Sequence, residues 1–224
     1  MMHNEAIEDY LKKIYKIQLE EGKVSTTALA ARLGIKPASV TGMIKRLSEM
    51  KLVTYKPYQG VKLTEGGKKI ALEVIRHHRL IELFLAEALG VPWDKVHEEA
   101  EKWEHVLSED LEERIDALLG YPTHDPHGAP IPNRDGDIAE HARLCLGDLK
   151  RLQYAAVVEV NDHDPELLRY LGSLGLYPRT EFQVMEIAPF EGPITISLKG
   201  GEFTLGRKIS DQIYVKVIDT LSED

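Results

Sequence analysis

His78 and Glu82 stand four residues apart, as do His97 and Glu101, and Glu104 and His105 follow directly. Imidazole nitrogens and carboxylate oxygens are divalent-metal ligands, and steps of three or four place them along one flank of a helix. From 96 to 118, Val96, Ala100, Trp103, Leu107, Leu111 and Leu118 predict one continuous helix with a buried stripe, and His97, Glu101, Glu104 and His105 border it. Between 71 and 90, Leu85 and Leu89 share the angular sector of His78 and Glu82. Stacked glutamates cost a few tenths of a kcal/mol unless a positive charge lies between them, roughly the penalty of like charges one turn apart. A solvated acidic helix face is the plain alternative. Histidines at both ends of the flank, with a second His-x3-Glu helix at hand, favour a metal site.

The spacing excludes familiar catalytic patterns. His97-Glu98 has Glu101 where a zinc protease needs its second histidine, and Lys102 stands three before His105 where a di-iron bundle needs glutamate. No nucleophile-elbow serine or phosphate-cradling glycine run appears, so the chain is not expected to be an enzyme.

The elements before these residues read as a DNA-binding head. Ile7, Tyr10, Leu11, Ile14 and Ile17 predict a first helix over about 4 to 20, and Ser25 is a natural N-cap for a second that ends at Gly34. Pro37 opens a third, with Val40, Met43, Ile44 and Leu47 inward. Its polar side carries Ala38, Ser39, Thr41, Gly42, Lys45 and Arg46; small residues near its start let a helix enter the major groove, and the basic pair lies where phosphates run. Two β-prone runs around 57 to 60 form a wing hairpin. Thr26, Thr27, Lys36, Pro37 and Lys56 complete the candidate DNA contacts.

Charge is divided accordingly. The 224 residues carry a net charge of -9, yet 22 to 70 holds eight lysines and two arginines against two glutamates, a local +8. The remainder is strongly acidic, and a basic patch on one domain is the footprint of a phosphate-backbone partner. With 43% hydrophobic and 29% charged residues the chain has a folding composition. No run is apolar over the ~20 residues a membrane span needs, and the first ten residues lack a signal-peptide core; with a lone Cys145, a cytoplasmic protein without membrane contact is expected.

Beyond a Pro/Gly-rich connection at about 120 to 136, a short helix is expected near 138 to 154. The runs AAVVEV, TEFQVMEI, PITISL, EFTLG and QIYVKVI, parted by Gly and Pro, then predict a small β-barrel. The fold expected is mostly α with this C-terminal barrel: a winged helix-turn-helix over 1–73, a helical dimerisation and metal-binding domain with linker over 74–149, and an SH3-like domain over 150–224.

RHHRLIELFL followed by KVHEEAEKWEHVLSEDLEERI resembles the dimerisation and metal-binding helices of the diphtheria-toxin-repressor family, metal-dependent repressors of iron and manganese homeostasis. The family layout matches the domains above, with an SH3-like domain similar to that of ferrous-iron transport accessory proteins. The resemblance implies a primary site of Asp9, Glu101, Glu104 and His105; Asp9 by itself reads as a surface residue opposite the apolar stripe. Carboxylates at the positions of Asp9 and Glu101 mark manganese-responsive members, whereas iron-responsive ones carry Met and Cys. Mn(II) is therefore the expected cofactor, with Fe(II), Co(II) or Zn(II) as alternatives. The chain departs from short manganese members at Lys12, where they use a glutamate to bridge two ions, so a close manganese pair is not expected there. A separate second site would draw on His78, Glu82 and His97, or be completed by Asp125 and His127 of THDPHGAPIP and by Asp162, His163, Asp164 and Glu166 of NDHDPE. The implied partners are a palindromic double-stranded DNA operator and a second copy of the chain. In the implied switch Asp9, Glu101 and Glu104 repel until an ion joins them, leaving the first helix free without metal. Two readings from other classes stand beside it: a metal-storage or transport accessory protein, favoured by the C-terminal domain but not by the basic head, and a metal-dependent hydrolase, for which no activated nucleophile or open catalytic constellation appears.

Overall fold

The computed structural model describes residues 5–56, 60–139 and 144–220. The chain packs as two units, one gathering Met1–His78, Trp103–Ser108 and Pro132–Asp137, the other the remaining segments.

In the first unit α1 (Glu5–Glu21) buries Ile7, Tyr10, Leu11, Ile14 and Ile17 on one side. Each of the leucine and isoleucine side chains contributes about 1.5–3 kcal/mol when fully buried. The same helix buries one cation, Lys12, which is 2% exposed. The Ser25 hydroxyl accepts the Ala28 amide at 2.9 Å and opens α2 (Thr26–Leu33). Gly34 closes it at φ 66°, a left-handed turn that glycine takes without strain. Pro37 is the first residue of α3 (Pro37–Glu49), which buries Val40, Ile44 and Leu47 and leaves Met43 half-buried. Strands β1 (Val53–Lys56) and β2 (Gly60–Leu63) pair antiparallel, and Val24 adds a bridge to Val61. Residues 57–59 of the wing turn lie outside the described residues.

Helix α4 (Glu65–Glu87) begins six residues before the expected start at 71. The single helix expected over 96 to 118 is instead two, α5 (Val96–Trp103) and α6 (Glu109–Leu118), so Glu104 and His105 sit in the intervening turn. Part of the expected stripe faces outward: Trp103, Leu111 and Leu118 are exposed, as is Leu89 in the turn after α4. The helix expected near 138 to 154 is reduced, among the described residues, to a 3-10 turn at Leu146–Asp148; residues 140–143 lie outside them.

In the second unit β3 (Tyr154–Val160), β4 (Glu181–Ile187), β5 (Ile194–Leu198), β6 (Gly201–Leu205) and β7 (Ile213–Ile218) form an antiparallel sheet in the order β6-β5-β4-β3-β7. The strands fall where the sequence puts them, but β6 and β7 are separate edges, so the sheet is open and the expected closed barrel is not formed. Between β3 and β4, α7 (Pro165–Leu174) buries Leu167, Leu168 and Leu171 in the core shared with Phe182, Val184 and Ile196. A helix covering the apolar face removes the need to close the sheet upon itself.

The loop carrying Asp125 and His127 lies against β3, where the Val160 amide donates to the His127 carbonyl at 2.9 Å. At Gly128 φ is 90°, and a Cβ there would overlap the Val158 carbonyl oxygen. Gly128→Ala should therefore destabilise the protein by more than about 1 kcal/mol in urea unfolding, since alanine neither accepts this dihedral nor fits the space.

Candidate metal centres

In the first unit, α1 and the turn after α5 bring together one ligand atom from each of Asp9, Glu104 and His105, all within 4.8 Å of one another. His105 is held from both sides, its Nδ1 2.6 Å from Glu8 Oε2 and its Nε2 3.0 Å from Asp9 Oδ1. Because both neighbours are acceptors, both ring nitrogens carry protons. The hydrogen bond to Asp9, then that to Glu8, raise the imidazole from its ordinary 6.5 to about 9, against the opposing effect of burial. Glu104 is buried, and its Oε1 lies 3.4 Å from His105 Nε2. Its Oε2 accepts from His78 Nδ1 and from Lys12 Nζ at 2.6 Å. Burial by itself would raise this carboxyl, but the His78 hydrogen bond and the Lys12 ammonium outweigh it and hold Glu104 below the usual range. Removing one partner of a buried pair such as Lys12–Glu104 typically costs about 3–5 kcal/mol.

This arrangement differs from the expected cluster of mutually repelling carboxylates. Lys12 and His105 place positive charge among Glu8, Asp9 and Glu104, tying α1 to the 104–105 turn through the chain's own side chains. Glu8 escaped the sequence analysis because an acidic residue in the first turn of a helix is already explained by the helix dipole. His78 lies against Glu104 and Lys12 in this unit.

A second cluster is contained in the second unit. One ligand atom each from Glu82, His127 and Asp162 lies within the same 4.8 Å limit. His97 Nδ1 is 3.0 Å from Glu82 Oε1 and 3.8 Å from Asp162 Oδ2, while its Nε2 is 3.8 Å from Glu101 on α5. His127 Nε2 donates to the Trp93 carbonyl at 2.8 Å, which leaves Nδ1 as the lone-pair nitrogen. Among the described residues that Nδ1 is buried without a hydrogen bond, and so is Asp125 Oδ2, 3.6 Å from Arg79 Nε. The other Asp125 oxygen accepts the His127 and Ala129 amides at 2.9 and 3.0 Å and shapes the loop. Burial, and then the Glu82 charge, push Asp125 up to about 7. Buried imidazole and carboxylate atoms without donors are suited to a cation. Here the residues present fit a divalent ion. Of the acidic-loop residues, Asp162 joins this cluster, His163 stays 42% exposed with Nδ1 2.9 Å from Asp162, and Asp164 caps α7 by accepting the Glu166 amide.

On the winged head, Lys36, Pro37, Ala38, Ser39, Gly42, Lys45 and Arg46 form an exposed face of α3 and its approach. Thr27 and Lys56 are exposed as well, Thr26 is half-buried, and the half-buried Thr41 hydroxyl donates to the Pro37 carbonyl at 3.0 Å.

A winged helix-turn-helix joined to clustered imidazoles and carboxylates defines a metal-dependent DNA-binding regulator. Comparison with known proteins agrees: residues 2–61 match the iron-dependent repressor N-terminal DNA-binding domain, 64–133 its metal-binding and dimerisation domain, and 144–217 the FeoA domain. The iron-dependent repressor IdeR of Mycobacterium tuberculosis is 32% identical over 225 residues, covering 94% of this chain and 96% of its own. The diphtheria toxin repressor of Corynebacterium efficiens is 31% identical, covering 96% of each chain. Among solved structures, a manganese-dependent transcriptional repressor in complex with manganese is 38% identical with a TM-score of 0.86, covering 95% of this chain and all of that one. ScaR with bound Zn2+ is 34% identical with a TM-score of 0.80, covering 96% and 100%. The chain belongs to the diphtheria-toxin-repressor family of metal-dependent transcriptional repressors and is not an enzyme. No helix among the described residues is long and apolar enough to cross a membrane.

His105 gives a pH test. Its folded value lies above its unfolded one, so its contribution to stability is complete below about pH 6.5 and is lost as pH rises through about 9. Thermal unfolding in excess chelator should show a melting temperature falling across that window, with a smaller fall in His105→Gln.

Proposed function

We propose that this chain is a manganese(II)-activated repressor of metal-homeostasis genes, with Asp9, Glu104 and His105 as ligands of the activating ion. The donor set carries the reading: two carboxylates and one imidazole, with no sulfur, converge at one point. Soft sulfur would favour iron, cobalt or zinc, whereas oxygen-rich sets leave Mn(II) competitive. Glu101, which the family resemblance adds, would make the set richer still in oxygen. The 38% identity to a manganese-dependent repressor supports the same metal. The iron-dependent name of the mycobacterial relatives favours Fe(II) as the second reading.

A divalent ion there would supply two positive charges shared between α1 and the 104–105 turn. Asp9 supplies the tie from α1, the helix that packs on α2 and on the wing strand β2, so restraining it restrains the reading head. His105 would give up its Nε2 proton to become a ligand, and Glu8 would keep Nδ1–H oriented. A near-complete switch between weak and strong operator binding needs about 10⁴-fold tighter ion binding to the competent arrangement, about 5.5 kcal/mol. Glu82, His127 and Asp162, with Asp125 beside them, would take a second ion. In a homodimer, two α3 helices would present Ser39, Gly42, Lys45 and Arg46 to successive major grooves of a palindrome. The exposed Leu89, Leu111 and Leu118 supply apolar surface for that association.

Operator binding followed by gel shift under anaerobic titration with Mn(II) and Fe(II) tests the reading. Activation at lower free Mn(II) is expected for the parent. Asp9→Met should weaken the Mn(II) response by at least tenfold while sparing Fe(II) or Co(II). Equal operator binding in excess chelator would overturn the metal-activated reading, and preferential activation by Fe(II) would replace manganese with iron. Mass spectrometry of dialysed protein should count one manganese fewer per chain in Asp162→Ala, with DNA binding still metal-dependent.

A further inference from the structure

A two-stranded hairpin is only marginally stable by itself in water, so the wing formed by β1 and β2 needs anchors along its outer edge. On β2 alternate backbone amides point away from β1, and these are the amides of Val61 and Leu63. Val61 donates to the Val24 carbonyl at 2.9 Å. Leu63 donates to a side chain, Gln18 Oε1, at 2.9 Å. Gln18 is half-buried near the end of α1, whereas Val24 lies beyond Gly22, whose φ of 71° turns the chain out of the helix. Of these two bonds, the Gln18 one joins the wing directly to α1.

We infer that Gln18 is a positioning residue for DNA binding: by holding the Leu63 amide it fixes the wing to α1, and so fixes where Lys56 and Lys62 meet the phosphate backbone. The alternation of the strands turns Val53, Tyr55, Val61 and Leu63 towards the head and leaves Thr54, Lys56 and Lys62 exposed on the other face. A phosphate contact sets register only when the strand that carries it is itself held in place. A hydrogen bond weakens steeply away from short, near-linear geometry, so an acceptor carried on a helix holds the strand more strictly than non-directional apolar contact does. Gln18 also stands nine residues from Asp9 on α1, about 13.5 Å along the axis and on the opposite side at ~100° per residue. With Asp9 as a ligand, the reading proposed above and the one on which this regulatory consequence rests, the ion would restrain one side of α1 and Gln18 would pass that restraint to the wing.

The test uses the full-length chain and a duplex that the parent, loaded with Mn(II), selects from a random-sequence DNA pool. Gln18→Leu keeps size and helix propensity but removes the acceptor, whereas Gln18→Glu keeps an acceptor oxygen. At saturating Mn(II), Gln18→Leu should bind the duplex about tenfold more weakly, the scale of one lost hydrogen bond that leaves a donor unpaired. Its plot of log affinity against log salt should be shallower by about one for each lysine lost from the phosphates. Hydrogen exchange of residues 60–64 should quicken in this variant, while the Mn(II) bound per chain without DNA stays at the parent's value. Gln18→Glu should keep the parent's slope and exchange. Parental affinity and slope in Gln18→Leu would overturn the proposal. So would weaker binding with slope and exchange unchanged, which marks a merely structural role, or a Gln18→Glu chain that behaves as Gln18→Leu does. If leucine is not tolerated, Gln18→Ala, which adds no bulk, is held to the same outcomes. Equal binding in excess chelator would remove the metal-activated reading and leave the Gln18 comparison standing, because that comparison is made at fixed metal. A parent that selects no duplex rejects both.

Discussion

An ionised carboxylate is costly to bury without a positive charge near it, and Glu104 is buried and held below the usual carboxyl range. Desolvating an anion costs several kcal/mol, and Lys12 and His78 offset that cost at Glu104. Everything at the first centre follows from this. Lys12 has to leave the solvated side of α1, His105 has to come within reach of Asp9 and Glu8, and α1 becomes fastened to the 104–105 turn. The fastening matters because α1 packs against the elements that carry the DNA-reading face. Electrostatic compensation and the position of the reading head are therefore one problem in this molecule.

The second centre is built by a different logic. Its histidine is fixed by a backbone carbonyl instead of a charge: the Trp93 oxygen accepts a hydrogen bond from His127 Nε2, and Nδ1 lies inside with no donor among the described residues. Gly128 permits the loop to press on β3, which keeps the imidazole and Asp125 in the interior. The first centre is rich in internal cations and the second is poor in them. A divalent ion at the first would have to displace a proton from His105, whereas the second would offer an acceptor nitrogen, so the two clusters would be unequal as binding sites.

Much of the architecture was legible. Ser25, Gly34 and Pro37 marked the helix-turn-helix because each solves a local backbone problem: an orphan amide, a left-handed turn, a helix start. The five C-terminal strands were visible through alternation and their Gly/Pro boundaries. Helix α7 carries its own signals, Asp164-Pro165 as cap and first residue and Gly175 as terminator, but the ligand-type residues of the acidic loop mask them. The break between α5 and α6 was not legible, since the apolar period continues through Glu104 to Ser108 and nothing in that stretch forbids a helix.

What the amino-acid order determined by itself is the class of the molecule: a basic winged head, a helical segment rich in histidine and carboxylate, and a β-rich end. These depend on composition and period, which are local and survive without knowledge of the packing. Which residues meet was decided only by the tertiary structure. Glu8, Lys12, His78, Glu104 and His105 are brought together across as many as 97 positions of sequence, and Asp162 was singled out from its neighbours His163 and Asp164 by where β3 ends. Charges interact over a few ångströms and in proportion to their burial, and neither quantity exists until the chain has folded.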